Sequence, residues 1–290
     1  MRARALGNGV LRIALTLLIA GFCGVLLVRL APGFGTDDRE LNARLSEESI
    51  AALRTGRDAN LMRIYGRFLV GVACGDLGSS ESLNMPVAGL LSERLPLSLR
   101  SVGLGLGVAW GAALLMAVIA GGFGKRLADW SGTALTEFLL AAPAGLTALL
   151  LFTLLDGASI VPALGIALAV FPHLFRNQRS LLREAAALPH VLSAHARGVT
   201  PLRVFLREVL PGAMPQLFAL AGTSVTLAIG AAIPIESICD SPGIGQLAWK
   251  AATARDLGLL LPLILTVTTI TLVAGLAADL ASMGRQTVAA

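Results

Sequence analysis

Three histidines, three cysteines and a run of glycines are the residues of this 290-residue chain whose types suit chemistry. Their spacing argues against it. His173, His190 and His195 form no His-Glu-x-x-His pair, and Cys23, Cys74 and Cys239 stand too far apart for a Cys-x-x-Cys motif. Gly103, Gly105, Gly107 and Gly111 match a phosphate-binding loop only in composition, because no strand precedes them and the run around them is uncharged. Small residues so spaced suit close packing of membrane helices instead. No Gly-x4-Gly-Lys-Ser/Thr loop exists, since Gly124-Lys125 continues as Arg126, and no serine occupies a Gly-x-Ser-x-Gly elbow. The sequence assigns no catalytic, cofactor-binding or metal-binding residue.

What remains is a mechanical candidate. Segment 176–211 is polar and arginine-rich, between two long apolar stretches. It contains Ala194-His195-Ala196-Arg197-Gly198, and Leu210-Pro211 follow twelve and thirteen positions after that glycine. Residues 179–187 can extend the preceding helix. Pro189 and Gly198 then break it, because proline lacks the amide donor and glycine disfavours helix interiors. The pattern predicts a short helix over 192–197, a glycine turn, and a second helix over 201–209 opened by Pro201, which suits a first turn. Such a knob can be held in a partner's groove and moved as a lever. By charge alone, a solvated basic loop explains the segment equally well.

The elements that must hold this segment are apolar. Hydrophobic residues make up 55% and charged residues 14%, with a mean hydropathy of +0.77, whereas a soluble domain carries about 25% charged residues. Windows 101–124, 138–155, 157–175, 209–235 and 257–278 hold no Asp, Glu, Lys or Arg, and a bilayer-crossing helix needs about 20 apolar residues. A sixth window, 13–28, continues past Arg29 to Ala31, and Arg29 can snorkel to the interface. These predict an all-α membrane protein with six transmembrane helices, near 11–31, 98–121, 134–155, 158–175, 212–233 and 257–279, the third kinked at Pro143. Ion-coupled carriers place ionisable groups at membrane depth; Asp, Glu, Lys and Arg here fall at span ends or in loops, so the driving energy is expected outside the chain.

The net charge of +5 does not point to nucleic acid, because its placement follows the membrane. Arg2, Arg4 and Arg12, then Lys125 and Arg126, then Arg176, Arg179, Arg183, Arg197, Arg203 and Arg207 fall in alternate loops, which marks those loops as cytoplasmic. Both termini are then inside. Residues 1–31 form the N-terminus and first helix, 32–97 a periplasmic insertion, and 98–290 the remaining transmembrane domain with the cytoplasmic loop 176–211. Within the insertion, 38–54 reads as an amphipathic helix (Leu41, Leu45, Ile50, Leu53), with Ser46 and Ser49 as candidate caps. Residues 65–72 read as an apolar patch ended by the turn Gly75-Asp76-Leu77-Gly78. Cys74 and Cys239 fall on the outer side, where a disulfide is admissible. The apolar N-terminus could be a cleaved signal peptide, but its length, Arg29 and the absence of a small-x-small site at Leu30-Ala31-Pro32-Gly33 argue against that. In the last outer segment, Ser241-Pro242-Gly243-Ile244-Gly245 reads as a rigid turn followed by flexible points.

Five stretches in this order resemble the inner-membrane permease subunits of ABC importers, in the dipeptide/oligopeptide/nickel permease family. They are Val28-Arg29-Leu30-Ala31-Pro32-Gly33; Gly75-Asp76-Leu77-Gly78-Ser79-Ser80 with Glu93-Arg94-Leu95-Pro96-Leu97-Ser98-Leu99; Arg179-Ser180-Leu181-Leu182; Ala194, Ala196, Arg197 and Gly198 with Leu210-Pro211; and Glu236-Ser237-Ile238, Ser241-Pro242-Gly243-Ile244-Gly245 and Arg255-Asp256. The chain departs from the pattern at Leu192 and Ser193, where a Glu-Ala start is usual, at Glu208, where an apolar residue is usual, and at His190, often aromatic.

The resemblance implies the ABC importer permease fold and a role as half of a translocation pathway for peptides or similar small solutes, nickel chelates included. It also implies that residues 192–211, with Ala194, His195, Ala196, Arg197, Gly198, Leu210 and Pro211, couple to an ATPase. Glu236, Ser241, Pro242, Gly243, Gly245 and Asp256 carry its outer-segment motif. The implied partners are a homologous second permease, two cytoplasmic ATPase subunits that hydrolyse the ATP, an external solute-binding protein, and lipid of the cytoplasmic membrane. An ion-coupled secondary carrier and a non-transporting membrane scaffold are the alternatives.

Overall fold

The computed structural model describes residues 2–30, 61–122 and 126–289. The expected helix over 38–54 and Lys125 lie outside these residues. The helices are α1 (Arg2–Leu30), α2 (Leu61–Ala73), α3 (Val87–Ala117), α4 (Arg126–Ala141), α5 (Ala144–Leu154), α6 (Val161–Ala186), α7 (Pro189–Ala196), α8 (Pro201–Val204), α9 (Leu210–Ile238), α10 (Ile244–Thr253) and α11 (Leu257–Ala289). A π-turn, Val118–Gly122, follows α3, and a second, Phe205–Val209, joins α8 to α9. A helix satisfies its own backbone donors and acceptors, which is what lets apolar segments like these enter lipid.

Among the described residues, three helices are long and apolar enough to cross a membrane: Val87–Ala120, Pro201–Ile238 and Leu257–Ser282. A fourth crossing exists if Asp129–Ala141 and Ala144–Leu154 count as one, and Ile13–Leu27 is a shorter apolar helix. Of the six spans expected from charge-free windows, the described helices show three outright and a fourth as a bent pair. Two physical reasons account for this. Pro143 adopts an extended conformation (φ −58°, ψ 136°), so the expected kink becomes a 100° bend between two short helices. In the window 157–175, α6 begins only at Val161, and within five turns it takes in Arg176, Asn177 and Gln178. Only 28–33% of the apolar windows of the three long helices is buried inside the chain. Their remaining surface must meet lipid or another subunit.

The chain divides into two compact units. One comprises Met1–Arg94 with Ala248–Thr269. Its core gathers Val25, Tyr65 and Leu261, with Phe22, Phe68 and Leu69 packed against them. The Tyr65 hydroxyl donates to the Leu18 carbonyl at 2.7 Å, and its ring meets Phe22 edge-on. The turn expected after α2 is present: Gly75 and Gly78 take positive φ, and Gly78 N donates to Asp76 Oδ1 at 2.8 Å. Strands β1 (Ser79–Ser80) and β2 (Met85–Pro86) then pair antiparallel, Ser79 opposite Pro86 and Ser80 opposite Met85.

The other unit comprises Leu95–Leu247 with Ile270–Ala290. Its centre is α6, which packs on α9, α4 and α5 and buries Ile166, Leu174, Phe175 and Leu182. The expected close packing through small residues holds at Gly105, where a Cβ would stand 2.5 Å from the Ala163 carbonyl. Gly103, Gly107 and Gly111 have nothing within 4 Å of that position, so their smallness does not serve packing inside this chain.

Candidate functional site

The segment singled out for coupling is built from short pieces that proline and glycine delimit. α6 runs without interruption from Val161 to Ala186, and Leu188 then turns extended (ψ 143°). Pro189 ends the preceding run as expected, since the residue before it, Leu188, is extended. It also opens α7 at the first helical position, where a missing donor costs nothing, so the helix starts ahead of the expected 192. Val191 and Ala194 are buried and hold α7 in place, while His195, Ala196, Arg197 and Gly198 are exposed. His195 Nδ1 lies 3.1 Å from the Val191 carbonyl, a bond within its own helix.

Gly198 closes α7 with φ +77°, and its amide donates to the His195 carbonyl at 2.9 Å. No atom lies within 4 Å of where its Cβ would be. The requirement for glycine is thus conformational and not steric, since L-residues pay about 1–2 kcal/mol in the left-handed region.

Thr200 is extended and Pro201 opens α8. Val204, Phe205 and Val209 face inward, whereas Leu202, Arg203, Leu206 and Arg207 face out. The expected second helix does not stop at Val209. It continues through the π-turn into α9, giving one helix from Pro201 to Ile238. Pro211 in an α-helix would lack a donor and press its ring on the carbonyl four residues back. The wide turn before it, with Leu210 N bonded to the Phe205 carbonyl, relaxes that ladder where Pro211 enters. Leu210 is half-buried and Pro211 exposed. His190 and Glu208, both departures from the family pattern, face each other, Nε2 to Oε2 at 4.0 Å.

The outer-segment residues separate into two carboxylate cages. Glu236 is fully buried near the end of α9. Ser98 Oγ lies 2.7 and 2.9 Å from its two oxygens, Gly245 N donates to Oε2 at 2.8 Å, and Ser101 Oγ approaches Oε1 at 3.4 Å. Ser98 Oγ also accepts the Ile244 amide at 2.7 Å. Gly243 and Gly245, expected as flexible points, are instead buried against this cage. A Cβ on Gly245 would stand 2.8 Å from Glu236 Oε2, and one on Gly243 would overlap that carboxylate and Ser98 Oγ. Ser241 N bonds the Glu236 carbonyl at 2.9 Å, closing the turn, and Pro242 is exposed on its outside.

Asp256 is the second cage, at the N-terminus of α11. Its Oδ2 accepts Ser80 Oγ at 2.6 Å, Ser82 N at 2.9 Å and Ser82 Oγ at 2.8 Å, while Oδ1 accepts Leu259 N at 3.1 Å. It caps the helix and fixes the β1–β2 hairpin with one group. Burial pushes this carboxyl up, but the Ser80, Ser82 and Leu259 bonds outweigh it and the net shift is downward.

Ser80, Ser82 and Ser101 were not recognised from sequence as partners of these carboxylates. The available signal was the buried acid itself, which demands several donors. The three cysteines are free thiols, Cys74 exposed and Cys239 buried.

Three comparisons bear on what such an arrangement serves. A protein of Brucella ovis bearing a peptide-permease name is 28% identical over 95% of this chain and 93% of its own length. A Brucella suis protein named for a peptide transport system is 26% identical over 83% of this chain and 84% of its own. The glutathione transport system permease protein GsiC of Salmonella paratyphi A is 28% identical, with 83% and 84% covered. Residues 113–282, more than half of the chain and inclusive of the 189–211 elbow and of the two caged carboxylates Glu236 and Asp256, match one family. The chain belongs to the binding-protein-dependent transport system inner membrane components, the membrane-embedded permease subunits of ABC importers.

Proposed function

We propose that this permease forms half of a translocation pathway for peptides or similar small solutes, driven by ATP hydrolysis on separate cytoplasmic subunits that dock on residues 189–211. A homologous permease completes the pathway and an external solute-binding protein delivers the substrate. In this reading six membrane segments cross the cytoplasmic membrane, both termini lie inside and residues 32–97 lie outside. The relatives named for peptide and glutathione transport support the substrate class.

The observation that carries the coupling role is the form of the elbow. His195, Ala196, Arg197 and Gly198 protrude at a turn, beside exposed Leu192, Leu202 and Leu206, and the next helix is continuous to Ile238. Apolar side chains left exposed in a polar segment suit a partner's groove. A turn anchored to an unbroken helix passes displacement on rather than absorbing it.

Gly198→Trp tests this. The variant is expected to insert normally and to abolish uptake in cells that depend on this importer for a peptide. Wild-type uptake by a correctly inserted Gly198→Trp variant would remove the coupling assignment.

A further inference from the structure

We propose that the far end of α6 and the first turns of α4 form a site for the phosphate headgroup of an anionic phospholipid. The inference rests on the reading above, in which the 189–211 elbow that follows α6 is cytoplasmic. A groove of about 500 Å³ runs along the polar end of α6, lined among others by His173, Arg176, Asn177, Ser180 and Arg183. Arg179 and Arg183 share a single carboxylate, Asp129 of α4: Arg183 Nη2 lies 2.9 Å from Oδ2, and Arg179 Nε meets Oδ1. Glu184 is turned to Ser180 Oγ at 2.9 Å. Three guanidiniums against two carboxylates leave the groove positive, and Arg126 adds a further charge on the exposed first turn of α4. An oxyanion is the ligand that planar guanidinium donors match.

A second observation selects lipid as its source. Leu127, Trp130 and Phe138 of α4 are 78%, 73% and 70% exposed. At 100° per residue, 127, 130 and 138 fall on one side of the helix and Asp129 on the other. α4 thus turns its carboxylate to the arginines and an apolar, tryptophan-bearing stripe outward. Tryptophan favours the membrane interface, and basic pockets at the cytoplasmic membrane surface take anionic headgroups. A zwitterionic lipid would bring its own cation into an already positive groove. The anionic lipid supplies phosphate to the arginines, and the stripe marks this level of α4 as the edge of the acyl region.

The full-length chain carrying Trp110→Phe and Trp249→Phe, in phosphatidylcholine nanodiscs, leaves Trp130 as the fluorophore. Brominated phosphatidylglycerol and brominated phosphatidylcholine are compared as quenchers at the same low mole fraction. The anionic quencher is expected to be at least about fivefold more effective, the factor that one basic contact near an anionic surface carries. Arg176→Gln/Arg183→Gln should lose this preference, and Arg176→Lys/Arg183→Lys should keep most of it. Equal quenching by the two lipids, or a preference that survives the glutamine pair, overturns the site. Millimolar inorganic phosphate that erases the preference marks a soluble-anion site and overturns the lipid assignment. Should the tryptophan variants not fold, native mass spectrometry of the unmodified chain reads the same difference as retained phosphatidylglycerol. Quenching does not depend on sidedness; impermeant thiol labelling of Arg197→Cys from the inside tests that separately.

Discussion

Replacing Ser98 by alanine removes one oxygen, orphans the buried Ile244 amide and takes one of several donors from Glu236. The Ser98 hydroxyl donates to the Glu236 carboxylate and accepts the Ile244 amide, and it is only 2% exposed. A hydrogen bond to a charged acceptor contributes about 1.5–3 kcal/mol, and a buried amide left unpaired costs about 1–3 kcal/mol. Allowing for incomplete additivity within one network, Ser98→Ala should destabilise the chain by about 3–5 kcal/mol. Ser101→Ala is the internal control. Its contact with Glu236 is 3.4 Å, and its hydroxyl already bonds the Leu97 and Ser98 carbonyls of its own helix at 3.1 and 3.2 Å, so its loss should cost less than about 1 kcal/mol. Equilibrium unfolding in mixed micelles of mild detergent and dodecyl sulfate, followed by tryptophan fluorescence, measures both. Equal midpoints for the two variants, or a Ser98→Ala chain within 1 kcal/mol of wild type, would refute the view that Glu236 depends on this hydroxyl.

Two further outcomes follow from the other cage and the elbow. Asp256 has a lowered carboxyl pKa when folded, so its contribution is complete above the ordinary aspartate value of roughly 3.9 and is lost as pH falls through the lower folded value. Asp256→Asn should be less stable than wild type at neutral pH, with a flatter loss of melting temperature below roughly pH 4; parallel curves would count against the cage. At Gly198 the surroundings are open and only φ is demanding. Gly198→Asn, which tolerates that conformation, should therefore retain more uptake than Gly198→Val at matched expression, and the reverse order would show that space and not backbone conformation is limiting.

Much of this was legible because membrane insertion and helix punctuation are local. The apolar windows located α3, α9 and α11, and α11 begins where the charge-free run does, at Leu257. Pro201 and Gly198 marked a helix start and a turn in advance. The sequence was less informative wherever the meaning of a residue depended on a distant one. Pro189 reads only as a break, yet it also opens a helix, and nothing local announces the π-turn that accommodates Pro211. Gly243 and Gly245 read as flexible because nothing local shows that a carboxylate from α9 will occupy the space their side chains lack. His190 and Glu208 looked like two unrelated departures, and only the fold places them opposite one another. Both are substantially exposed, so the pairing contributes little to stability, but it shows that the two exceptions occupy one neighbourhood.

The helix from Pro201 to Ile238 gives the proposed coupling a concrete path. Its 38 residues extend for about 57 Å at 1.5 Å per residue. At one end stands the Gly198 elbow. At the other, Glu236 is gripped by Ser98 of α3 and by the backbone of Gly245. A rod moved at one end does useful work only if its far end is fastened to what must move, and an internal carboxylate with several directed bonds is a fastening that resists sliding better than apolar contact does. On this argument the elbow and the Glu236 cage are two ends of one device. Loosening the cage by Ser98→Ala should then lower uptake even where the chain remains folded and inserted, because motion imposed at Gly198 would no longer reach α3 and α10.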